Sequence, residues 1–377
     1  ASYTISVTAS NTDLLPDGEI NGNITISVPL PTGTSVDSLY PWYVVTVVNV
    51  KTYVEELTKV ASAEGMIAFQ IGHLSDIELL TEQPETRAVA NVTTSGSTVT
   101  PYTDLAEAIT AAGSNGGTVD ILVDESLRVT NAAFSITNSV TINGLDSSTP
   151  IFFTVLPGTS ETDTGNIAFN VNNGATLTLN NINMSIAGTR NTNFEKNGYD
   201  GTAFNVGIDS KLIINDSIIL AYNIERSTTA GGGDKASFEI TDSRVHFQNI
   251  DGNAANGGNW TIENSSFALE NVGSYGLSAN SITTENSTID ATNVGYSAIY
   301  AYKSIDFGAN TKVNIENCGT KLPYVSEGNY GDSKAPIQMK VTHEADGDEV
   351  AAEDMSFEIA STATVTIKDC VSDGTSN

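Results

Sequence analysis

Basic residues are scarce in this chain. Only 16 Lys and Arg stand against 45 Asp and Glu, a formal net charge of −29 over 377 residues. Nucleic acids and anionic membranes are bound by cationic side chains that replace their counterions, so the composition disfavours both partner classes. Cysteine is rarer still, with Cys318 and Cys370 alone, which excludes a disulfide framework and any Cys/His metal spacing. The three histidines, His73, His246 and His343, are isolated in sequence and read as structural or exposed. No apolar run approaches the ~18 residues of a membrane span. A Walker loop, a dinucleotide glycine motif and a Ser-His-Asp order are all missing. No leader-like segment opens the chain, so Ala1 is expected to follow either a cleaved leader or an artificial start. Asn377 carries no anchor signal, and the natural chain is expected to continue beyond it.

What is abundant is Asn, Ser, Thr and Gly, set between short apolar stretches that alternate with a period of two. That pattern makes strands and turns. Residues 1–88 hold strand-like runs at Ile24–Pro29, Tyr43–Val50 and Met66–Ile71, with a Pro31–Gly33 turn. The simplest module for them is a small β-sandwich. Val54–Ala61 reads as a short helix or an amphipathic strand. Residues 89–100, without bulky core residues, read as a linker.

From residue 101 to 377 the pattern changes. Leu105, Ala108, Ile109 and Ala112 recur at helical spacing behind Thr103, a candidate N-cap, and Gly116-Gly117 stops the helix. Thr118–Val123 follows as a buried strand, so the helix can close one end of a stack of strands.

The strongest signal is an internal repeat. One polar column runs Asp216, Asp242, Asn264, Asn286, Asn310, and a second lies seven residues on at Asn223, Asn249, Asn271, Asn293, Asn317. Successive copies are 26, 22, 22 and 24 residues apart. Thr362 and Asp369 stand in the last copy. Between the columns run two apolar ladders, Ile219-Val245-Phe267-Ile289-Val313-Val365 and Ala221-Phe247-Leu269-Ala291-Ile315-Ile367, which alternation places inside. A column of Ser217, Ser243, Ser265, Ser287 and Thr311 follows the first markers. Ile224, Ile250, Val272, Val294, Cys318 and Cys370 follow the second. A period near 22 with no helical spacing is one turn of a parallel β-helix. Asn at a tight corner tolerates the left-handed backbone region, and stacked Asn amides can hydrogen-bond along the column.

The TDLAEAI helix, the Gly-Gly-Thr-Val-Asp-Ile-Leu-Val strand, Val140-Thr-Ile-Asn-Gly and the Asn-laddered repeats together resemble the pectate-lyase-like right-handed parallel β-helix superfamily. Within it they are most similar to the non-catalytic segments of bacterial surface and adhesin-like proteins. The N-terminal runs are similar to small β-sandwich modules of Gram-positive surface proteins. The resemblance implies an all-β chain, with about nine coils and an N-terminal helix cap. It also implies an extracellular or cell-surface location, and a host or environmental glycan or protein as ligand.

Chemistry could sit in several places. Alternation puts Arg244, His246, Glu270, Asp290, Lys312 and Glu316 on one outward face. Glu270 with Asp290 could serve as an acid/base pair for glycoside hydrolysis or lyase chemistry. The other reading is a solvated face with scattered charge. The motifs of the pectin hydrolases (clustered Asp pairs, Gly-His-Gly, Arg-Ile-Lys) are absent, so a non-catalytic module is the preferred reading. Glu225 and Asp251, beside Arg226, occupy one position in adjacent repeats and read as exposed turn residues. Two insertions, Gly188–Gly201 and Gly319–Ser333, leave the repeat just after the second column. They carry Arg190, Phe194, Tyr199, Tyr324 and Tyr330, residue types suited to sugar or protein contact. No cofactor motif exists. Calcium is the one ion for which ligands could be gathered, at Asp346, Asp348 and Glu349 in an acidic segment whose spacing matches no EF-hand. Cys318 and Cys370 share a column, which leaves open a disulfide or two stacked free thiols.

Overall fold

A computed structural model describes residues 2–3, 19–47, 50–73, 76–81, 88–94, 99–123, 126–145, 149–156, 166–172, 174–190, 199–230, 235–319, 335–339 and 355–370. The chain is all-β apart from one α-helix, Leu105–Asn115, and a 3-10 turn, Val36–Ser38, among the described residues. It divides into two compact units, Ala1–Arg87 and Ala88–Asn377.

In the first unit every strand pairing among the described residues is antiparallel. Ser2–Tyr3, Asp76–Leu80, Tyr40–Val47 and Val50–Glu56 form one sheet, and Glu19–Pro29, Met66–His73 and Lys59–Val60 another. Val28, Leu39, Leu57, Ile67, Phe69, Ile71, Ile77 and Leu79 make its core. Of the two readings of Val54–Ala61, strand is the one found, over Val50–Glu56 and Lys59–Val60. Lys59 ties the 3-10 turn down by donating to the carbonyls of Val36 and Leu39, at 3.2 and 3.1 Å.

The second unit is built from long parallel sheets. Nine strands follow one another in chain order in one sheet: Leu127–Val129, Pro150–Thr154, Asn183–Ala187, Ile218–Ile224, Arg244–Ile250, Ser266–Val272, Thr288–Val294, Lys312–Glu316 and Thr364–Lys368. Each pairs in parallel with the strand one repeat later, so equivalent residues of successive repeats stack. Ile219 meets Val245, then Phe267, Ile289, Val313 and Val365; Ala221 meets Phe247, Leu269, Ala291, Ile315 and Ile367. The two apolar ladders therefore stand in the register read from the repeat, and they fill the core until the final copy. There Ile367 is 48% exposed, because no described strand stacks beyond it.

A 17-stranded sheet carries two further columns of strands per repeat, with an aromatic interior. Phe134, Phe169 and Phe204 stack in one column, and Phe238 lies flat on Trp260 with ring centroids 4.2 Å apart. Phe134, Phe169 and Phe204 lie before the aligned repeats, whereas Phe238 and Trp260 open two successive copies and pair with each other.

Three expectations are corrected. Segment 89–100 is not a linker among its described residues. Ala90–Thr93 and Val99–Tyr102 pair with each other, and Ala90–Thr93 also pairs antiparallel with Gly117–Ile121. Ala90 and Val92 are small enough to look like linker, yet alternation buries both against the core. The helix N-cap is Asp104, not Thr103: its carboxylate accepts from the Glu107 N–H at 2.9 Å. Thr362 does not take the left-handed backbone of its column, which a β-branched residue resists. Its hydroxyl instead accepts from the Asn310 N–H at 3.0 Å.

Candidate binding edge

Two corners bound each of the central strands, and the polar columns make both. All five first-column residues and all five second-column residues have φ between 47° and 56°. Second-column amides hydrogen-bond along the stack, Asn249 to Asn223 and Asn271 to Asn249 at 3.0 Å and Asn293 to Asn271 at 2.9 Å. The serine column has a role its smallness did not reveal. Ser243, Ser265 and Ser287 each accept, through Oγ, the backbone N–H of the serine one repeat earlier, at 3.0, 3.0 and 3.1 Å. Every one of these serines is buried, so the column satisfies amides that would otherwise lie in the core without an acceptor.

The outward rows also stand as alternation placed them. Arg244, Ser266, Thr288 and Lys312 share one row; His246, Ala268, Asp290 and Asn314 the next; Gln248, Glu270, Thr292 and Glu316 the third. Their acids are engaged with neighbours. Glu270 Oε2 lies 3.3 Å from His246 Nε2 and accepts from Gln248 Nε2 at 3.3 Å. Asp290 accepts from Asn314 Nδ2 at 2.8 Å. Glu270 is directly opposite Thr292, and Asp290 opposite Ala268, so the two carboxylates are diagonal neighbours in adjacent strands. Arg244 and Lys312 sit exposed, with two strands between them along their row. Tyr222, the outward residue one repeat before Gln248, is buried. A short hairpin, Thr189–Arg190 with Tyr199–Asp200, lies against its strand.

That hairpin is the base of the first insertion. The Gly188 N–H donates to the Tyr222 carbonyl at 3.3 Å, and Gly319, at the start of the second insertion, donates to Val294 at 2.9 Å. Both insertions thus leave the corner that follows the second Asn column. Arg190 and Tyr199 are backbone partners in the hairpin, and the Tyr199 N–H donates to the Asp251 carboxylate. Phe194, Tyr324 and Tyr330 lie outside the described residues, as do Asp346, Asp348 and Glu349. Glu225 pairs with Arg226 at 3.5 Å. Among the described residues, no group of three or more His, Cys, Asp or Glu is placed to hold a metal ion.

Between the two insertions the same corner is short. It runs through Glu225-Arg226, then Asp251–Ala254, Gly273–Gly276 and Gly295–Ala298. Here lies a feature the sequence reading missed. Tyr275 stacks on Tyr296 with centroids 5.4 Å apart and meets Tyr300 at a tilt, centroids 5.2 Å apart, and Tyr302 meets Tyr300 edge-on at 4.9 Å. In the sequence it shows as Tyr275 and Tyr296, at nearby positions of successive corners, with Tyr300 and Tyr302 in the strand that follows.

Cys318 and Cys370 do share a column. The Cys318 N–H points to Cys370 Sγ at 3.4 Å, and both thiols are free. Burial pushes the Cys318 thiol up from 9.0 to about 12.

Comparison of the chain with protein-family models, with curated proteins and with solved structures returned no match.

Proposed function

We propose that residues 101–377 form a right-handed parallel β-helix of the pectate-lyase-like type and residues 1–88 a small β-sandwich. On this reading the chain is a non-catalytic module on the outside of a bacterial cell, adhesin-like or scaffolding in character. It binds a glycan or a protein through the insertion-bearing edge, with Arg190, Phe194, Tyr199, Tyr324 and Tyr330 as its contact residues. The observation that carries the reading is the placement of both insertions at one corner of a rigid stack. Loops held on such a scaffold are where proteins commonly place recognition. The outer strand face favours it too, since Glu270 and Asp290 each spend their carboxylate on an adjacent side chain.

Glycan-array binding together with a reducing-sugar screen tests the reading. Retention of a ligand, weakened by Tyr199→Ala or Tyr324→Ala and without sugar release, is expected. Turnover of a polysaccharide, abolished by Glu270→Gln or Asp290→Asn, would replace this reading with a lyase or hydrolase on the strand face.

A further inference from the structure

Cys318 and Cys370 are the two cysteines of the chain, and they stand at successive positions of one column. They lie two residues beyond Glu316 and Lys368, which pair in parallel, so the two repeats meet there in register. Neighbouring strands run about 4.8 Å apart. That is inside the Cα separation of roughly 4.4–6.8 Å that a disulfide spans. The Cys318 N–H donates to Cys370 Sγ at 3.4 Å. Each Sγ also lies against the carbonyl two residues before it, Cys318 at 3.6 Å from Glu316 and Cys370 at 3.1 Å from Lys368.

The serine column is built in the same way at the other corner. The Ser243 N–H donates to Ser265 Oγ, and Ser265 Oγ donates to the Glu263 carbonyl at 2.6 Å. Oxygen makes such bonds better than sulfur, a weak donor and a weak acceptor. Earlier members of the cysteine column, Ile224, Ile250, Val272 and Val294, carry no polar side-chain atom and are fully buried. Neither hydrogen bonding nor packing therefore explains sulfur at these two positions. What sulfur adds is a covalent bond between them.

That bond falls where the stack is weakest. Phe357, Ile359 and Ile367 are 48–49% exposed, whereas their partners one repeat earlier, Ile305, Phe307 and Ile315, are 0–1% exposed. Among the described residues the last repeat is packed on one side, and 52 positions separate its cysteine from Cys318. A terminal unit of this kind opens before the rest of a stack.

We propose that Cys318 and Cys370 form a thiol–disulfide modification site, a redox-controlled staple that fastens the last repeat to the buried stack. The oxidant is a low-molecular-weight disulfide. Cys370, the half-buried member, is the entry point. Its thiolate attacks one sulfur of the small disulfide, forms a mixed disulfide and expels one small thiolate. Cys318 then loses its proton to water and attacks Cys370 Sγ, closing the Cys318–Cys370 bond and expelling the second small thiolate. Two protein thiols are oxidised and one small disulfide is reduced to two thiols. Burial holds the proton on Cys318, so closure is the slow step and quickens as pH rises. A bond that closes so long a loop acts by restricting the opened chain.

The full chain, reduced, freed of reductant and incubated with glutathione disulfide, tests this. Thiols counted on the unfolded protein should fall from two to none. Tryptic digestion should then yield residues 313–321 joined to residues 369–377. Hydrogen exchange across residues 356–368 should slow by about tenfold or more on oxidation and recover on reduction. Cys318→Ala should halt at one glutathione on Cys370. Cys370→Ala, at the half-buried position, should leave Cys318 unmodified over the same time, and a melt like the parent's shows that it folds. The proposal is overturned if both thiols persist, or if each carries its own glutathione with no joined peptide. It is overturned equally if chains cross-link to one another instead, or if the bond forms while exchange across 356–368 is unchanged.

Discussion

Asn271 illustrates how one residue type serves two physical needs. Its φ of 54° lies where a Cβ is strained, and its amide bridges to the amide of Asn249. Asn271→Ala forfeits both, and urea unfolding should show a loss of about 1–2 kcal/mol. Asn271→Gly relieves the backbone but not the lost hydrogen bond, so it should fall between parent and alanine. Ser265 answers a different need. Ser265→Ala leaves the buried Ser243 N–H without its acceptor, for an expected loss of about 1–3 kcal/mol by the same measurement. Cys318 adds a pH dependence. Its thiol is raised by burial from 9.0 to about 12, so in the reduced protein the folded state holds the proton more tightly than the unfolded chain does. The stability from burying the neutral thiol is therefore complete below pH 9.0 and is lost as pH rises through about 12. Urea midpoints measured upward from pH 8 should fall on this account, and Cys318→Ala should flatten that alkaline branch.

The helix Leu105–Asn115 was legible as an element because Leu105, Ala108, Ile109 and Ala112 recur at its period, and all four are buried. Its cap was misplaced by one residue, since Thr103 and Asp104 are both good N-cap residues and only backbone geometry chooses between them. What the helix packs on was not legible at all. Gly113 lies against the strand Phe134–Ile136, where a Cβ would come within 2.6 Å of the Ser135 carbonyl oxygen. In an isolated helix Gly→Ala gains about 1 kcal/mol. Here Gly113→Ala should lower the melting temperature, because the clash is with backbone. Asp104→Ala should cost about 1 kcal/mol through the lost cap. The hairpin Ala90–Tyr102 escaped the sequence reading for a related reason. Its strands are short, and Ala90 and Val92 become core residues only when Gly117–Ile121 lies beside them. An edge that would otherwise expose unpaired N–H and C=O groups is covered in this way.

At the scale of the whole molecule, charge and repetition dominate. A surplus of 29 negative charges works against compactness, and moderate salt screens it. The melting temperature should therefore rise between low ionic strength and ~0.15 M salt, where the Debye length falls to about 8 Å. The two units have separate apolar cores, so a fragment spanning residues 88–377 should keep a cooperative melt of its own. A featureless melt in that fragment would mean that the cores are not independent.

By itself, the sequence determined the all-β character, the repeat and its register. A column of like residues every 22 to 26 positions has few other physical causes, and period-two alternation assigns each residue a side. It also determined where the two insertions leave the stack. Only the tertiary structure decided what the stacked neighbours do to one another. It made the serine hydroxyls acceptors for amides one repeat away, and it engaged Glu270 with His246 and Gln248. It turned the 89–100 segment into strands and gathered four tyrosines at one corner. Those outcomes depend on contacts between successive repeats or neighbouring strands, at distances and orientations that periodicity does not specify.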